Sequence, residues 1–228
     1  MKRLRRTQLA LREAAAMFTQ ARYLGLDWAP TRHAAGHVHV ILIHGLYASA
    51  GVFRPLRRRL HDELNVGTSS FSYLPGPGIV ELTGRLTDLV RQAPEASRIV
   101  LVGHSLGGLV ARFYVRQTQC DPRIIQTISL AAPFLGTHKY HLVPGQAGRD
   151  LKPGASILPP LCVDDATNRR VPHLTLVAAD DHLIVSGAFP EYGQARVVAG
   201  AGHNGILYDA QAISLVVERV AACCASAR

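Results

Sequence analysis

The sequence is short of several things. Its four cysteines, Cys120, Cys162, Cys223 and Cys224, have spacings that match no thiolate metal site. The adjacent pair is poorly placed to bridge to itself, so these thiols read as small buried hydrophobes in a chain suited to a reducing compartment. No apolar run is long enough to span a bilayer. Aromatic residues make up 6% of the chain, and none is interleaved with the two basic clusters, Met1-Lys-Arg-Leu-Arg-Arg6 and Arg54, Arg57, Arg58, Arg59. Without stacking partners, neither cluster reads as a nucleic-acid surface. Acidic residues are also scarce, 16 against 25 Lys and Arg for a net charge of +9, a balance that bears on solubility and association rather than on fold.

What is present suffices for one domain: 228 residues, 48% of them apolar, can bury a sizeable core. The basic opening is like the start of a secretion signal, but Arg12 and Glu13 interrupt the only candidate apolar stretch, and a signal needs about 7 to 15 such residues. Leu4, Leu11 and Phe18 recur every seventh residue, which predicts an amphipathic helix within residues 1–30. It either packs on its own domain or lies on an anionic membrane. A cytoplasmic protein, membrane-associated at most through this helix, is expected. No motif falls in it, so removing residues 1–28 is expected to spare turnover of soluble substrates.

Beyond Pro30 apolar runs alternate with helical patterns, the signature of a parallel sheet covered on both faces. Strands are predicted at Val38–Ile43, Ser69–Tyr73, Ile99–Val102, Ile124–Leu130, His173–Ala178 and Arg196–Ala199, and helices at Phe53–Leu64, Ile79–Gln92, Leu106–Gln119 and Gln211–Ala222. Residues 31–228 form the main domain, and the Pro- and Gly-rich stretch 138–172 is read as an insertion over the sheet.

The chemistry starts at Gly103-His-Ser-Leu-Gly-Gly108, between the apolar run Ile99–Val102 and a helical pattern. A serine between strand and helix sits on a sharp turn, so the residues two places either side must be small, as Gly103 and Gly107 are. The turn presents Ser105 at a helix N-terminus, where free N–H groups favour negative charge. A serine hydroxyl needs a base, and His203 stands where a late strand breaks into glycines before the last helix. His104 is expected to point away from the nucleophile, and His44 to orient its loop. A carboxylate must fix the imidazole tautomer; Asp180 and Asp181 follow the strand His173–Ala178, while Asp164 and Asp165 fall in the insertion. The oxyanion donors are expected to be the backbone N–H groups of Leu46 and Leu106, with Leu46, Tyr47 and Leu106 also free to line an acyl pocket.

The segments HGLY at 44–47, GHSLGG at 103–108, AAPFLGT at 131–137, ADDHLIV at 179–185 and GAGHNGILY at 200–208 together resemble the bacterial lipase and esterase branch of the α/β-hydrolases. The resemblance runs from about residue 38 to the C-terminus. It implies the α/β-hydrolase fold with a short cap and hydrolysis of small-molecule or lipid carboxylic esters through an acyl-enzyme on Ser105, with neither metal nor organic cofactor. In such lipases the triad acid is followed by one variable residue and an apolar pair; Asp181-His182-Leu183-Ile184 has that pattern, which selects Asp181 over Asp180. The family often carries His where Phe134 stands, and Phe134 is assigned with Tyr47 to the substrate pocket. The same triad would serve an acyltransferase, a thioesterase or an amidase, and the fold alone would serve a binding module.

Overall fold

The computed structural model describes the chain apart from residues 1, 29–30, 34–35, 118–119, 185–189, 191 and 227–228, and the backbone alone for 2–8 and 31–33. In β2 (Val38–Ile43) every residue is buried. Its Val38, Val40 and Leu42 join a cluster with α2 (Arg54–Leu64) and α7 (Ala210–Ala225). Ile41 and Ile43 point the other way, toward α3 (Ile79–Arg91) and α4 (Leu106–Arg116). Successive strand residues face opposite sides and both sides are covered, so the run has no polar alternation. Burying a leucine such as Leu60, Leu82 or Leu86 on these helices contributes about 2 kcal/mol relative to exposure.

The remaining strands are β1 (Thr31–His33), β3 (Gly67–Phe71), β4 (Arg98–His104), β5 (Ile124–Leu130), β6 (His173–Ala178) and β7 (Gln194–Val198). Among the described residues they form one seven-stranded sheet in the order β1-β3-β2-β4-β5-β6-β7. β1 is antiparallel to β3 and the other neighbours are parallel. From β2 the chain moves to β3 on one side and returns to β4 on the other. Loops leaving the carboxyl ends of β2 and β4 therefore diverge and open a crevice.

Several boundaries differ from the sequence reading. β3 begins at Gly67 rather than Ser69, because hydrogen bonds take the place of apolar alternation: Ser69 Oγ lies 2.6 Å from His39 Nε2, and Ser70 Oγ accepts from Arg57 at 2.8 Å. α4 stops at Arg116, where Gln117 is extended; the expected end at Gln119 lies outside the described residues. β7 ends at Val198, just before Gly200 at φ +71°.

The segment between β5 and β6 carries two short helices, α5 (Gly145–Asp150) and α6 (Ala166–Arg169). It is tied to the domain by Arg112 of α4, whose side chain is fully buried. That guanidinium donates to Thr127 Oγ1 at 2.8 Å, to the Asn168 carbonyl at 3.0 Å and side-chain Oδ1 at 3.1 Å, and to Val171 O at 3.3 Å, and lies 4.7 Å from the Tyr192 ring centre.

The N-terminal helix α1 (Lys2–Tyr23) packs beside the carboxyl ends of the strands, but not through its heptad stripe. Leu11 and Phe18 are 65% and 68% exposed. The face turned inward carries Glu13, Ala16, Gln20 and Tyr23: Gln20 donates to Tyr47 O, Tyr23 stacks on Tyr208, and Ala16 is buried. Past the helix, Ser49 Oγ reaches Tyr23 O and Leu26 O, and Asp27 bridges Arg54 and Arg57. The expected boundary at Pro30 lies outside the described residues. No described helix is long and apolar enough to cross a membrane.

Candidate active site

Four loops at the carboxyl edge of the sheet converge. Ser105, between β4 and α4, has φ +51° and ψ −123°, a conformation that costs a non-glycine residue on the order of 1–3 kcal/mol. The surroundings hold it there. Ser105 N–H donates to Leu130 O at 2.9 Å. A Cβ on Gly103 would lie 2.3 Å from the Gly107 backbone, and one on Gly107 would lie 2.1 Å from Ile43 O. Only glycine at both positions lets α4 start this close to β2 and β4.

His203 Nε2 is 3.0 Å from Ser105 Oγ, and His203 Nδ1 is 2.7 Å from Asp181 Oδ2. Asp181 accepts at its other oxygen from the N–H groups of Leu183 at 2.8 Å and Ile184 at 3.3 Å. Burial pushes the pKa of this carboxyl up, but the bond to His203 and the two backbone donors outweigh it and hold Asp181 below its ordinary value. A carboxylate at Nδ1 keeps the proton there and leaves the Nε2 lone pair facing the serine. Asp180 contributes its backbone N–H, which donates to Ala201 O at 3.0 Å. Asp165 is occupied with Arg116 and Asp164 with Arg169, on the insertion.

Gly45 passes against Ser105: a Cβ there would lie 2.8 Å from Ser105 Cβ. The next residue is Leu46, whose side chain lines the cavity beside Ser105. His44 holds this loop. Its Nε2 accepts from Tyr73 N–H at 3.2 Å and its Nδ1 donates to Gly45 O at 2.6 Å; Tyr73 stacks on the ring and donates its hydroxyl to His44 O. Burial lowers the pKa of His44 to about 4, so it orients the loop as a neutral ring. Leu106 opens α4, where the first-turn N–H groups have no partner within the helix.

The cavity holds about 420 Å³ and is mainly apolar, with Leu46, Tyr47, Leu142, Val143, Leu183 and Ile184 in its wall beside Ser105 and His203. The Tyr47 hydroxyl donates to Leu142 O at 2.7 Å and joins the segment between β5 and β6 to the loop after β2. Thr137 Oγ1, just before the insertion, donates to Leu183 O in the loop after β6.

Three expectations need correction. Phe134 is fully buried, edge-on to His173 beneath the insertion, and its neighbour Pro133 lines the cavity instead; an apolar aromatic beside the site was as well suited to core as to pocket. The Leu106 side chain is also fully buried in the core and does not line the cavity. His104 does not turn away from the site: its Nε2 donates to the backbone carbonyl of His203 at 2.8 Å. Burial, then the neighbouring His203, lowers its pKa to about 3.

Sequence reasoning also passed over α1, and the expectation that residues 1–28 can be removed without effect on turnover does not fit where the helix packs. Met17, Gln20, Ala21 and Leu24 form one wall of the cavity. Glu13 accepts from the N–H groups of Asn204 at 2.7 Å and Gly205 at 3.1 Å, directly after His203. Its one signal was a lone acid among basic residues. Among the described residues, no group of His, Cys, Asp or Glu has the arrangement of a metal site.

Residues 34–151 match the family described as "Putative serine esterase (DUF676)". The chain belongs to this serine esterase family. The matched segment carries Ser105 and the loops of Leu46 and Phe134, while Asp181, His203 and α1 lie outside it. As an α/β-hydrolase the chain has solved counterparts of low identity. One is a structure titled for LipS and LipT, "two metagenome-derived lipolytic enzymes", with TM-score 0.64, 14% identity, and 87% of this chain and 98% of that one covered. A Bacillus licheniformis lipase, BlEst2, gives 0.67 at 12% over 80% and 94%. An Arabidopsis methylesterase, MES16, gives 0.58 at 16% over 81% and 99%. At such identities the likeness is one of fold, and the serine hydrolase assignment rests on the family.

Proposed function

We propose that this serine hydrolase cleaves carboxylic esters of short to medium acyl length through an acyl-enzyme on Ser105. The observation that carries the reading is the unbroken hydrogen-bonded chain from Asp181 through His203 to Ser105 at 2.7 and 3.0 Å, at the floor of an apolar cavity. His203 takes the Ser105 proton as Oγ attacks the ester carbonyl, and the N–H groups of Leu46 and Leu106 hold the oxyanion. His203 then passes its proton to the departing alcohol. Water, deprotonated by the same imidazole, attacks the acyl-enzyme and releases the acid. No cofactor enters. The chain-length preference rests on a cavity of about 420 Å³, toward the small end of ligand pockets, under an insertion of short helices. A fluorophosphonate probe followed by peptide mapping should label Ser105, and p-nitrophenyl butyrate should be turned over faster than the palmitate. Ser105→Ala should lose both label and turnover while melting within about 2 °C of the wild type. Retained turnover in the pure variant would remove Ser105 from the reaction.

A second reading, peripheral contact with an anionic membrane through α1, is favoured by the outward position of Leu11 and Phe18 on a helix rich in Lys and Arg. Wild-type protein should float with phosphatidylglycerol vesicles and not with phosphatidylcholine vesicles, and Leu11→Asp/Phe18→Asp should stay behind. Equal flotation of the double variant would end this reading.

A further inference from the structure

The loop that carries His203 closes on itself through the Ile206 N–H on Gly202 O at 3.2 Å, but the amides of Asn204 and Gly205 are bonded from outside it. Its first turn, Gly205–Leu207, has Asn204 at the N-cap position, and the Asn204 side chain makes no capping bond. An uncapped turn leaves N–H groups without a partner. Here the missing acceptor comes from α1: the Glu13 carboxylate takes the N–H of Asn204 at 2.7 Å and of Gly205 at 3.1 Å. The separation is 191 and 192 residues in sequence. The loop is shaped to admit this carboxylate. A Cβ on Gly202 would lie 2.2 Å from Glu13 Oε2, and one on Gly205 3.1 Å from it. Among the described residues the loop is also held by the Asp180 N–H on Ala201 O and the His104 ring on the His203 carbonyl, with Arg12 of α1 reaching Gly200 O at 3.5 Å. These three act at or before His203, and among the described residues Glu13 is the acceptor for the two amides that follow it.

We infer that Glu13 is a positioning residue for the reaction: from outside the matched family segment it caps, in trans, the turn that follows His203 and so fixes the imidazole over Ser105. The inference rests on the reading of His203 as general base. Glu13 does not line the cavity, so it acts through His203 and not on the substrate. Catalytic geometry is steep, and a misplacement of about 1 Å costs on the order of 100-fold in rate.

The test is steady-state hydrolysis of p-nitrophenyl butyrate, with rates expressed per fluorophosphonate-titrated site so that misfolded molecules do not count. Glu13→Ala should lower kcat by about tenfold or more and leave KM within twofold. Glu13→Gln, whose amide oxygen still accepts, should fall between Ala and wild type. Glu13→Asp keeps the charge but stops a methylene short, and should resemble Ala. Gly202→Ala, whose Cβ would occupy the carboxylate's place, should reproduce the loss without adding to that of Glu13→Ala. If Glu13→Ala does not fold, the Gln and Asp variants carry the same comparison. A kcat within twofold of wild type in folded Glu13→Ala, an Asp variant as fast as wild type, or equal changes in kcat and KM across the series would each overturn the inference. Amide hydrogen exchange at Asn204 and Gly205 reads the clamp without any turnover: slow in wild type and at least tenfold faster in Glu13→Ala is expected. Unchanged exchange refutes the clamp, whereas slow exchange in a wild-type chain that hydrolyses no ester would refute the esterase reading instead.

Discussion

Replacing Asp181 by Asn changes one atom type, and the structure dictates how the new side chain must sit. Two backbone N–H groups, from Leu183 and Ile184, point at Oδ1, so the asparagine carbonyl has to stay there. Its NH2 group then takes the place of Oδ2, 2.7 Å from His203 Nδ1. Two donors cannot share that contact, so Nδ1 must give up its proton and Nε2 must gain one. The ring then presents an N–H to Ser105, where the reaction needs a lone pair. The wrong tautomer in a serine protease costs about 10⁴ in kcat, which at 1.36 kcal/mol per decade is about 5.4 kcal/mol of barrier, and the same loss is expected here. The assay is kcat on p-nitrophenyl butyrate, with a thermal melt to show that the fold is intact. Asp180→Asn is the paired variant: it keeps the backbone N–H that binds Ala201 O and should lose less than about threefold, as expected of a side chain outside the relay. A folded Asp181→Asn protein that keeps a tenth of wild-type activity, or an Asp180 variant slower than it, would refute the tautomer argument.

Two further expectations concern stability. Arg112→Ala should cost about 4 kcal/mol, because it leaves buried acceptors on Asn168, Thr127 and Val171 unpaired; a urea melt that moves by less than 1 kcal/mol would show that the insertion is anchored elsewhere. Acid should unfold the protein through its buried histidines. Burial holds His39 and His44 to about 4 and His104 to about 3, from an ordinary 6.5. Between those values the unfolded chain binds more protons than the fold. Stability is therefore full above pH 6.5 and falls toward pH 4, by up to about 1.4 kcal/mol per pH unit for each histidine. A melting temperature that stays flat from pH 7 to 4.5 would contradict this.

How much of this was readable in the sequence depends on whether the physics was local. β2 and the middle of β4 announce themselves because both of their faces are covered, so their residues are nearly all apolar, and β5 and β6 keep apolar residues around a few buried polar ones. The nucleophile turn is equally local: two glycines two places from Ser105 are what contact with Ile43 and the Gly107 backbone demands. The preference for Asp181 over Asp180 came from the resemblance to lipases, whose acid precedes one variable residue and an apolar pair; in the structure the N–H groups of that pair, Leu183 and Ile184, meet the Asp181 carboxylate. β3 was misplaced because hydroxyl bonds replace alternation, and β1 is too short to have a pattern. Phe134 and Leu106 were misjudged since an apolar side chain beside a pocket is equally suited to the core beneath it. The heptad stripe of α1 predicts a packed face, yet Leu11 and Phe18 face solvent, because the helix docks through Glu13, Gln20 and Tyr23 at partners far along the chain. No window of sequence contains Glu13 together with Asn204.

That long reach has a consequence for the order in which the protein becomes competent. During synthesis the sheet can begin to assemble around β2, β3 and β4 while the rest of the chain is still being made, and early segments fold first. The Glu13 carboxylate is made ahead of the sheet and waits for amides that follow it by 191 and 192 residues. A nascent chain that ends before Gly205 can carry a finished Ser105 turn and still lack the clamp on its base. Competence would thus arrive only once residues 203–205 have been made and have met α1, and fragments that stop short of them would be hydrolases in shape alone.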